Sequence, residues 1–438
     1  MLLNAADKAL WRLALPMIFS NITVPLLGLV DTAVIGHLDS PVYLGGVAVG
    51  ATATSFLFML LLFLRMSTTG LTAQAWGAKD PQRLARALVQ PLALALGAGV
   101  LIILLRLPLI DLALHIVGGS EAVLEQARRF LEIRWLSAPA SLANLVLLGW
   151  LLGVQYARAP VILLVVGNLL NIVLDLWLVM GLHLNVQGAA LATVTAEYVT
   201  FIIGLLMARR VLALRGVSFA LLKRAWRGDV RRLLALNRDI MLRSLLLQLC
   251  FGAVTVFGAR LGGEIVAVNA LLMTMLTFTA YALDGFAYAV EAHSGQAYGA
   301  RDGSQLLDVW RAACRQSGMV ALAFAATYAV AGQQIIALLT SLPSLQLLAD
   351  RYLIWQTILP VVGVWCYLLD GMFIGATRGA EMRNSMAVAA AGFAVTLLTV
   401  PVLGNHGLWL ALAVFLALRG LSLALIWRRH WRRGTWFS

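Results

Sequence analysis

Twelve apolar runs in succession decide what this chain can fold into. The stretches near 10–36, 46–72, 86–111, 130–155, 160–181, 187–208, 236–260, 264–290, 312–339, 352–376, 385–403 and 406–427 are each long enough to span a bilayer, because about 30 Å of hydrocarbon takes about 20 apolar residues in a helix. Lipid offers no partner to a bare N–H or C=O, so runs of this length are helical. A β-barrel would show short alternating strands instead. With 61% of the 438 residues hydrophobic and 12% charged, the composition lies far from the roughly 45–50% and 25% of soluble domains. The first run is too long for a signal peptide and lacks an A-x-A-like cleavage site, so it reads as a retained span.

The formal net charge of +13 is placed for topology rather than for nucleic acid. Basic residues gather after the even-numbered runs: Lys79, Arg83 and Arg86; Arg158; Arg209, Arg210, Arg215, Lys223, Arg224, Arg227, Arg231 and Arg232; Arg301; Arg378 and Arg383; Arg428, Arg429, Arg432 and Arg433. Loops rich in Lys and Arg stay on the cytoplasmic side, whereas the turns at 37–45, 112–126, 182–186, 340–349 and 404–406 hold neither. Both termini are therefore expected in the cytoplasm, and the bacterial inner membrane is the expected location. Cys250, Cys314 and Cys366 fall in or beside apolar runs without C-x-x-C or histidine spacing, the pattern of inert packing residues. No cofactor is implied.

The chain is also written twice. Gln74-Ala75-Trp76-Gly77-Ala78-Lys79-Asp80 returns 222 residues later as Gln296-Ala297-Tyr298-Gly299-Ala300-Arg301-Asp302. Close to that offset Gly36 matches Gly258, Gly149 matches Gly371 and Gly153 matches Gly375; with small gaps, Gly188 matches Gly407 and Arg209-Arg210 matches Arg428-Arg429. Six runs precede the basic stretch 209–232 and six follow it, so the halves have the same orientation. The expected fold is an all-α polytopic membrane protein, with twelve transmembrane helices in two pseudo-symmetric six-helix lobes around a central cleft. Residues 1–208 form the N-lobe, 209–234 a cytoplasmic basic linker, and 235–438 the C-lobe with a basic cytoplasmic tail. Paired lobes that open alternately to each side are a recurrent transporter design. The pairs Gly149/Gly153 and Gly371/Gly375 suit close helix packing.

Acidic residues at membrane depth cost at least about 2.5–3.5 kcal/mol each, which makes them functional candidates. Asp31 lies in the outer half of the first run, Asp175 in the outer half of the fifth, Glu197 in the sixth, Asp284 and Glu291 in the eighth, and Asp370 in the tenth. Asn171 precedes Asp175 by one helical turn and shares its face, and Thr193 approaches from the sixth run. Two carboxylates, an amide oxygen and a hydroxyl can hold a proton between the acids, since like charges raise one pKa, or ligate Na⁺. A purely structural polar cluster is the competing reading. The repeat puts Ala253 opposite Asp31 and 394–397 opposite Asp175, so this acid pair belongs to one half. Asp284 and Asp370 match Leu62 and Leu148, so the second half has acids of its own, lining a cleft or capping bends at Gly285 and Gly371. Glu291 is a further possible substrate contact. Arg65, Arg134 and Arg419 could instead neutralise some of these acids. Pro16 sits half a helix below Asp31, where its missing N–H permits a bend.

Twelve runs in two parallel halves, Asp31, the tract Asn171-Ile172-Val173-Leu174-Asp175 and the twin Gln-Ala-aromatic-Gly-Ala-basic-Asp turns together resemble the MATE family. The tracts 282–302 and Leu369-Asp370-Gly371-Met372-Phe373-Ile374-Gly375-Ala376-Thr377-Arg378 look like its DinF branch. That resemblance implies a multidrug and toxin extrusion antiporter in which Asp31, Asn171, Asp175 and Thr193 bind the coupling cation, H⁺ or Na⁺ with H⁺ favoured, and the first helix bends at Pro16. The NorM branch carries an acid in its seventh helix, where this sequence is read as offering only Gln248. The expected substrates are amphipathic, chiefly cationic, drugs or toxins, and a monomer in the bilayer is expected.

A flippase or exporter for a lipid-linked or anionic metabolite is the nearest rival. Its cleft would be lined by several cationic residues, whereas the membrane-depth charges here are mostly acidic. An enzyme is disfavoured: the sequence has no G-x-S-x-G, no H-E-x-x-H and no D-D-x-x-D on a run.

Overall fold

The structure, a computed structural model, describes residues 5–36, 40–217, 225, 228 and 230–438, and within the first helix it describes side chains other than those of 23–33 and 36. No strand occurs among the described residues. The long helices are α1 (Ala5–Gly36), α2 (Pro41–Gly77), α3 (Pro81–Leu104), α4 (Glu121–Gly153), α5 (Arg158–Gly181), α6 (Asn185–Leu214), α7 (Val230–Leu261), α8 (Gly263–Ala300), α9 (Gly303–Leu339), α10 (Pro343–Gly375), α11 (Gly379–Leu403) and α12 (Asn405–Arg433). Eleven of these, α2 to α12, are long and apolar enough to cross a membrane, and α1 has 32 residues. Their outer faces are apolar where they are exposed, as at Val330 (83%), Val402 (85%) and Leu338 (87%).

Two runs differ in detail from the sequence reading. The third apolar run, read as 86–111, breaks after Leu104, and a separate short helix, Arg106–Val117, follows. The fourth helix begins early, at Glu121, and its polar first turns are neutralised locally: Arg128 pairs with Asp111, and Arg129 with Glu125 at 2.9 Å.

The twin sequence motif has a physical reason. Lys79 and Arg301 adopt left-handed backbone, with φ of 52° and 54°. That conformation closes the preceding helix by returning amides to its last carbonyls, as Asp80 N to Ala75 O and Asp302 N to Ala297 O. The aspartate one residue on then caps the next helix. Asp80 Oδ1 accepts from the amides of Gln82 and Arg83, and Asp302 Oδ1 from that of Gln305. A second pair of turns repeats at the same spacing with different residues at the left-handed position, Gln155 at φ 63° and Thr377 at 55°.

The chain divides into two compact units, Ile22–Leu234 and Met1–Asn21 with Ala235–Ser438. The boundaries differ from 1–208 and 235–438 in one respect. The start of α1 groups with the second half, because Asp7 is bound by Arg315 at 3.0 Å and Gln316, Trp11 stacks on Phe286, and Ile18 fills the space above Gly285. The basic stretch groups with the first half up to Leu234; Arg209 and Arg210 continue α6, whereas Lys223, Arg224 and Arg227 lie outside the described residues.

Each unit uses the repeated glycines alike. A Cβ on Gly149 would lie 2.5 Å from Arg65 O, and one on Gly153 2.7 Å from Thr72 Cβ, so α4 rests directly on α2. On α10, a Cβ at Gly371 would come within 2.7 Å of Ala287 O, and one at Gly375 within 2.5 Å of Ser294 Oγ, on α8. Backbone approach of this kind needs glycine. In the second unit a reciprocal amide pair, Asn269 and Asn405 at 2.8 Å in both directions, is capped by Trp409 Nε1 at 3.0 Å and ties α8 to α12.

Candidate functional site

In the first unit the expected polar cluster is built on α5 and α6. Asp175 is the last α-helical residue of its segment; from Leu176 to Gly181 the backbone widens into a π-helix. Such bulges are rare and often mark functional positions, because they redirect one side chain against the regular helical face. Asn171 and Asp175 are 3% and 1% exposed. Asn171 Nδ2 points to Thr193 Oγ1 on α6 at 3.5 Å, the outer limit of a hydrogen bond, while Thr193 Oγ1 itself donates to Ala189 O at 3.2 Å. The amide oxygen of Asn171 is buried and accepts no hydrogen bond among the described residues. Asp31 lies on α1, but its side chain is outside the described residues.

Glu197 is not in that cluster. Asn144 of α4 donates to its Oε2 at 2.9 Å and to its backbone carbonyl at 3.1 Å. Pro16 sits within α1, in the stretch packed with the second unit.

The second unit's acids separate into different environments. Glu291 is 2% exposed on α8, and Asp284 is half-buried on the same helix. Asp370 is neither a bend cap nor a lone acid: Arg243 of α7 donates an Nη2 to its Oδ2 at 2.7 Å, and Arg419 of α12 donates to the same oxygen. Arg243, Asp370 and Arg419 are 7%, 7% and 3% exposed. Of the other two arginines weighed as partners, Arg65 donates to Thr69 Oγ1 at 3.3 Å and Arg134 to Ser137. Sequence reading overlooked Arg243, since it follows directly on the cluster Arg231, Arg232, Arg238 and reads as the tail of the basic stretch. Its place inside the seventh apolar run, 236–260, past Asn237, Arg238 and Asp239, is the signal that could have found it.

A repeated two-unit bundle of helices long and apolar enough to cross a membrane, with acids buried among them, defines a membrane transporter built by duplication. The MatE family model matches residues 16–177 and 240–404, and the chain belongs to that family of multidrug and toxin extrusion transporters. It is 86% identical to DNA damage-inducible protein F of Escherichia coli (strain K12), over 100% of this chain and 95% of the relative, which places it in the DinF branch. It is 24% identical to the probable multidrug resistance protein NorM of Acinetobacter baylyi, over 96% and 94% of the two chains. Among solved structures, a MATE crystal structure in the bent conformation overlays with a TM-score of 0.85 at 24% identity, covering 98% of this chain and 96% of that one; the straight conformation gives 0.84 at 22%, over the same shares.

Proposed function

We propose that this protein is a cation-coupled antiporter, with H⁺ as the favoured ion, that exports amphipathic drugs or toxins by alternating access from the bacterial inner membrane. In this reading it acts as a monomer, with both termini in the cytoplasm. The observation that carries the proposal is Asp175, a carboxylate buried in an apolar helix at the start of a π turn, beside an Asn171 amide oxygen that accepts no hydrogen bond among the described residues. A carboxylate at membrane depth is costly and therefore a functional candidate. Asp31, on α1, is the second acceptor in the scheme. A proton needs one acceptor oxygen, whereas Na⁺ needs a shell of them. That favours H⁺.

Loading and release shift α1 only by the difference in proton affinity between its two forms, and Pro16, which offers no amide to its turn, is where α1 would flex. Relatives named multidrug resistance proteins support the substrate class in broad terms. The expectation of cationic substrates rested on membrane-depth charges that are mostly acidic; of these, Asp370 is bridged by two arginines.

The test is drug efflux in everted vesicles under an imposed pH gradient and, separately, an Na⁺ gradient. Asp175→Asn and Asp31→Asn should insert normally and lose gradient-driven export. Undiminished efflux in both variants, or efflux driven by Na⁺ alone, would sink the proton-coupled reading.

A further inference from the structure

The first turns of α9 carry a groove that the transport scheme does not use. It measures about 570 Å³ and is lined by Asp308, Trp310, Arg311, Cys314 and Arg315, a size within the range of about 300–1,000 Å³ common for small-molecule sites. Residues 308, 311 and 315 recur at helical spacing and share one face of α9. Asp308 and Arg311 are exposed and one turn apart, yet neither makes an ion pair or a side-chain hydrogen bond with the other or with any other described residue. Arg315 differs. Its Nη2 is spent on both oxygens of Asp7, at 3.0 and 3.2 Å, while 47% of its side chain stays exposed. The groove therefore presents one matched couple, Arg315 with Asp7, and beside it an acid and a base that each lack a partner.

Helix length sets the depth of these groups. α9 has 37 residues, about 55 Å along its axis, and its charges, Asp308, Arg311 and Arg315, all precede Gln316. The uncharged remainder, 316–339, is about 36 Å long and crosses about 30 Å of hydrocarbon by itself, which leaves the groove at the level of the lipid headgroups. The aromatic rings agree. Trp310 packs on Trp427 at 5.9 Å between ring centres and Trp427 on Trp431 at 5.6 Å, and tryptophans mark that boundary. The shared fold does not require the charge pair: at the repeat offset Asp308, Arg311 and Arg315 correspond to Arg86, Val89 and Ala93, and the first unit forms the same turn capped by Asp80.

We propose that this groove holds the headgroup of a phosphatidylethanolamine lipid, with its phosphate on Arg311 and its primary ammonium on Asp308. A phosphate oxygen accepts charge-assisted hydrogen bonds from a guanidinium, and Arg315, lining the same space, keeps the donors it does not spend on Asp7. The ammonium donates N–H groups to the Asp308 carboxylate. A trimethylated choline has no N–H to donate, and a phosphatidylglycerol would set its negative charge beside Asp308 with no cation of its own. An unpaired acid next to an unpaired base thus matches a zwitterion with a protonated amine. Below the groove on the same face, Met319 and Leu322 are 68% and 60% exposed, an apolar track for the acyl chains. Because the Asp7–Arg315 bridge borders the groove, a seated lipid also braces the start of α1 against α9.

The experiment is native mass spectrometry of the full-length protein released from detergent micelles, titrated with palmitoyl-oleoyl phosphatidylethanolamine, phosphatidylglycerol or phosphatidylcholine. Bound lipids are told apart by mass, and the titration gives a Kd for the first lipid taken up. Phosphatidylethanolamine should bind most tightly. Arg311→Gln should weaken all three lipids by about threefold, the scale of a partly exposed ion pair, since each carries a phosphate. Asp308→Asn should weaken phosphatidylethanolamine by about as much and strengthen phosphatidylglycerol by a similar factor. That opposed shift separates a headgroup site from general attraction to a basic surface, which favours phosphatidylglycerol in the parent and leaves phosphatidylethanolamine unmoved in Asp308→Asn. Both side chains are exposed and without partners, so both variants should melt with the parent. Tighter binding of phosphatidylglycerol than of phosphatidylethanolamine by the parent, an unchanged lipid order in Asp308→Asn, or unchanged affinities in Arg311→Gln would each overturn the proposal. Displacement of the first phosphatidylethanolamine by tetraphenylphosphonium would assign the groove to exported cations and overturn it too. No transport is measured, so a negative result leaves the exporter reading standing.

Discussion

The contact of α10 with α8 gives a quantitative test of the packing that both units share. Replacing Gly375 by Ala puts a Cβ 2.5 Å from Ser294 Oγ, 2.8 Å from Gly295 N and 2.9 Å from Glu291 O. Ordinary contact begins near 3.4 Å, and two of these three neighbours are backbone atoms that no side-chain rotation can clear. Relief therefore requires α10 to withdraw by roughly half an ångström or more, and overpacking of this sort costs about 1–3 kcal/mol. Alanine in place of glycine in a helix returns about 0.5–1 kcal/mol, so the net effect is destabilising. Gly252 and Gly318, inside α7 and α9, have nothing within 4 Å of an added Cβ. There only the gain survives. Cys250 and Cys366 are buried in this unit, so a thiol-reactive dye in a Cys314→Ser background reports its thermal unfolding directly. Gly375→Ala should melt below the parent, and Gly252→Ala and Gly318→Ala at or above it. Gly371→Ala/Gly375→Ala should fall short of additivity, since one helix shift relieves both clashes. If Gly375→Ala melted with Gly252→Ala, the close approach of α10 and α8 would be wrong.

Two further outcomes follow from the loops. Asp80→Ala and Asp302→Ala should each cost about 1 kcal/mol through loss of a helix cap, while Arg301→Gly relieves left-handed backbone and should raise the melting temperature; the same dye assay reads the two changes in the second unit, and thermal unfolding followed by circular dichroism reads Asp80→Ala. For topology, a cysteine introduced at Val217 should label from the cytoplasm and one at Gly119 from outside, and the reverse pattern would invert the assigned orientation.

Much of the architecture was legible because lipid allows few solutions and because duplication printed the turns twice. Lys79 with Asp80 and Arg301 with Asp302 gave away two helix boundaries through their chemistry, whereas Gln155 and Thr377 form an equivalent pair with no common side chain, so only backbone geometry reveals it. The polar face of Asn171 and Asp175 was readable from spacing alone. Charge compensation was not. Asp370 lies 127 residues from Arg243 and 49 from Arg419, and no local pattern announces which distant helix supplies a partner. Arg243 was hidden further because it follows soon after the loop arginines that end at Arg232, although it is itself buried. The assignment of the start of α1 to the second unit likewise depends on Arg315, Gln316, Phe286 and Gly285, all more than 260 positions away.

That assignment bears on how such a molecule could have arisen. The unit built from the second half includes Met1–Asn21, and the unit built from the first half runs on to Leu234, past the start of α7 at Val230. Each repeat therefore lends the beginning of its opening helix to the other. A single ancestral repeat with this trait would have left a groove unfilled on its own surface, and two copies would have had to exchange helices as a swapped dimer does. Fusion of the genes would then have made a reciprocal loan permanent. On that account, fragments cut at the linker should recover a native fold only when both are made in the same membrane.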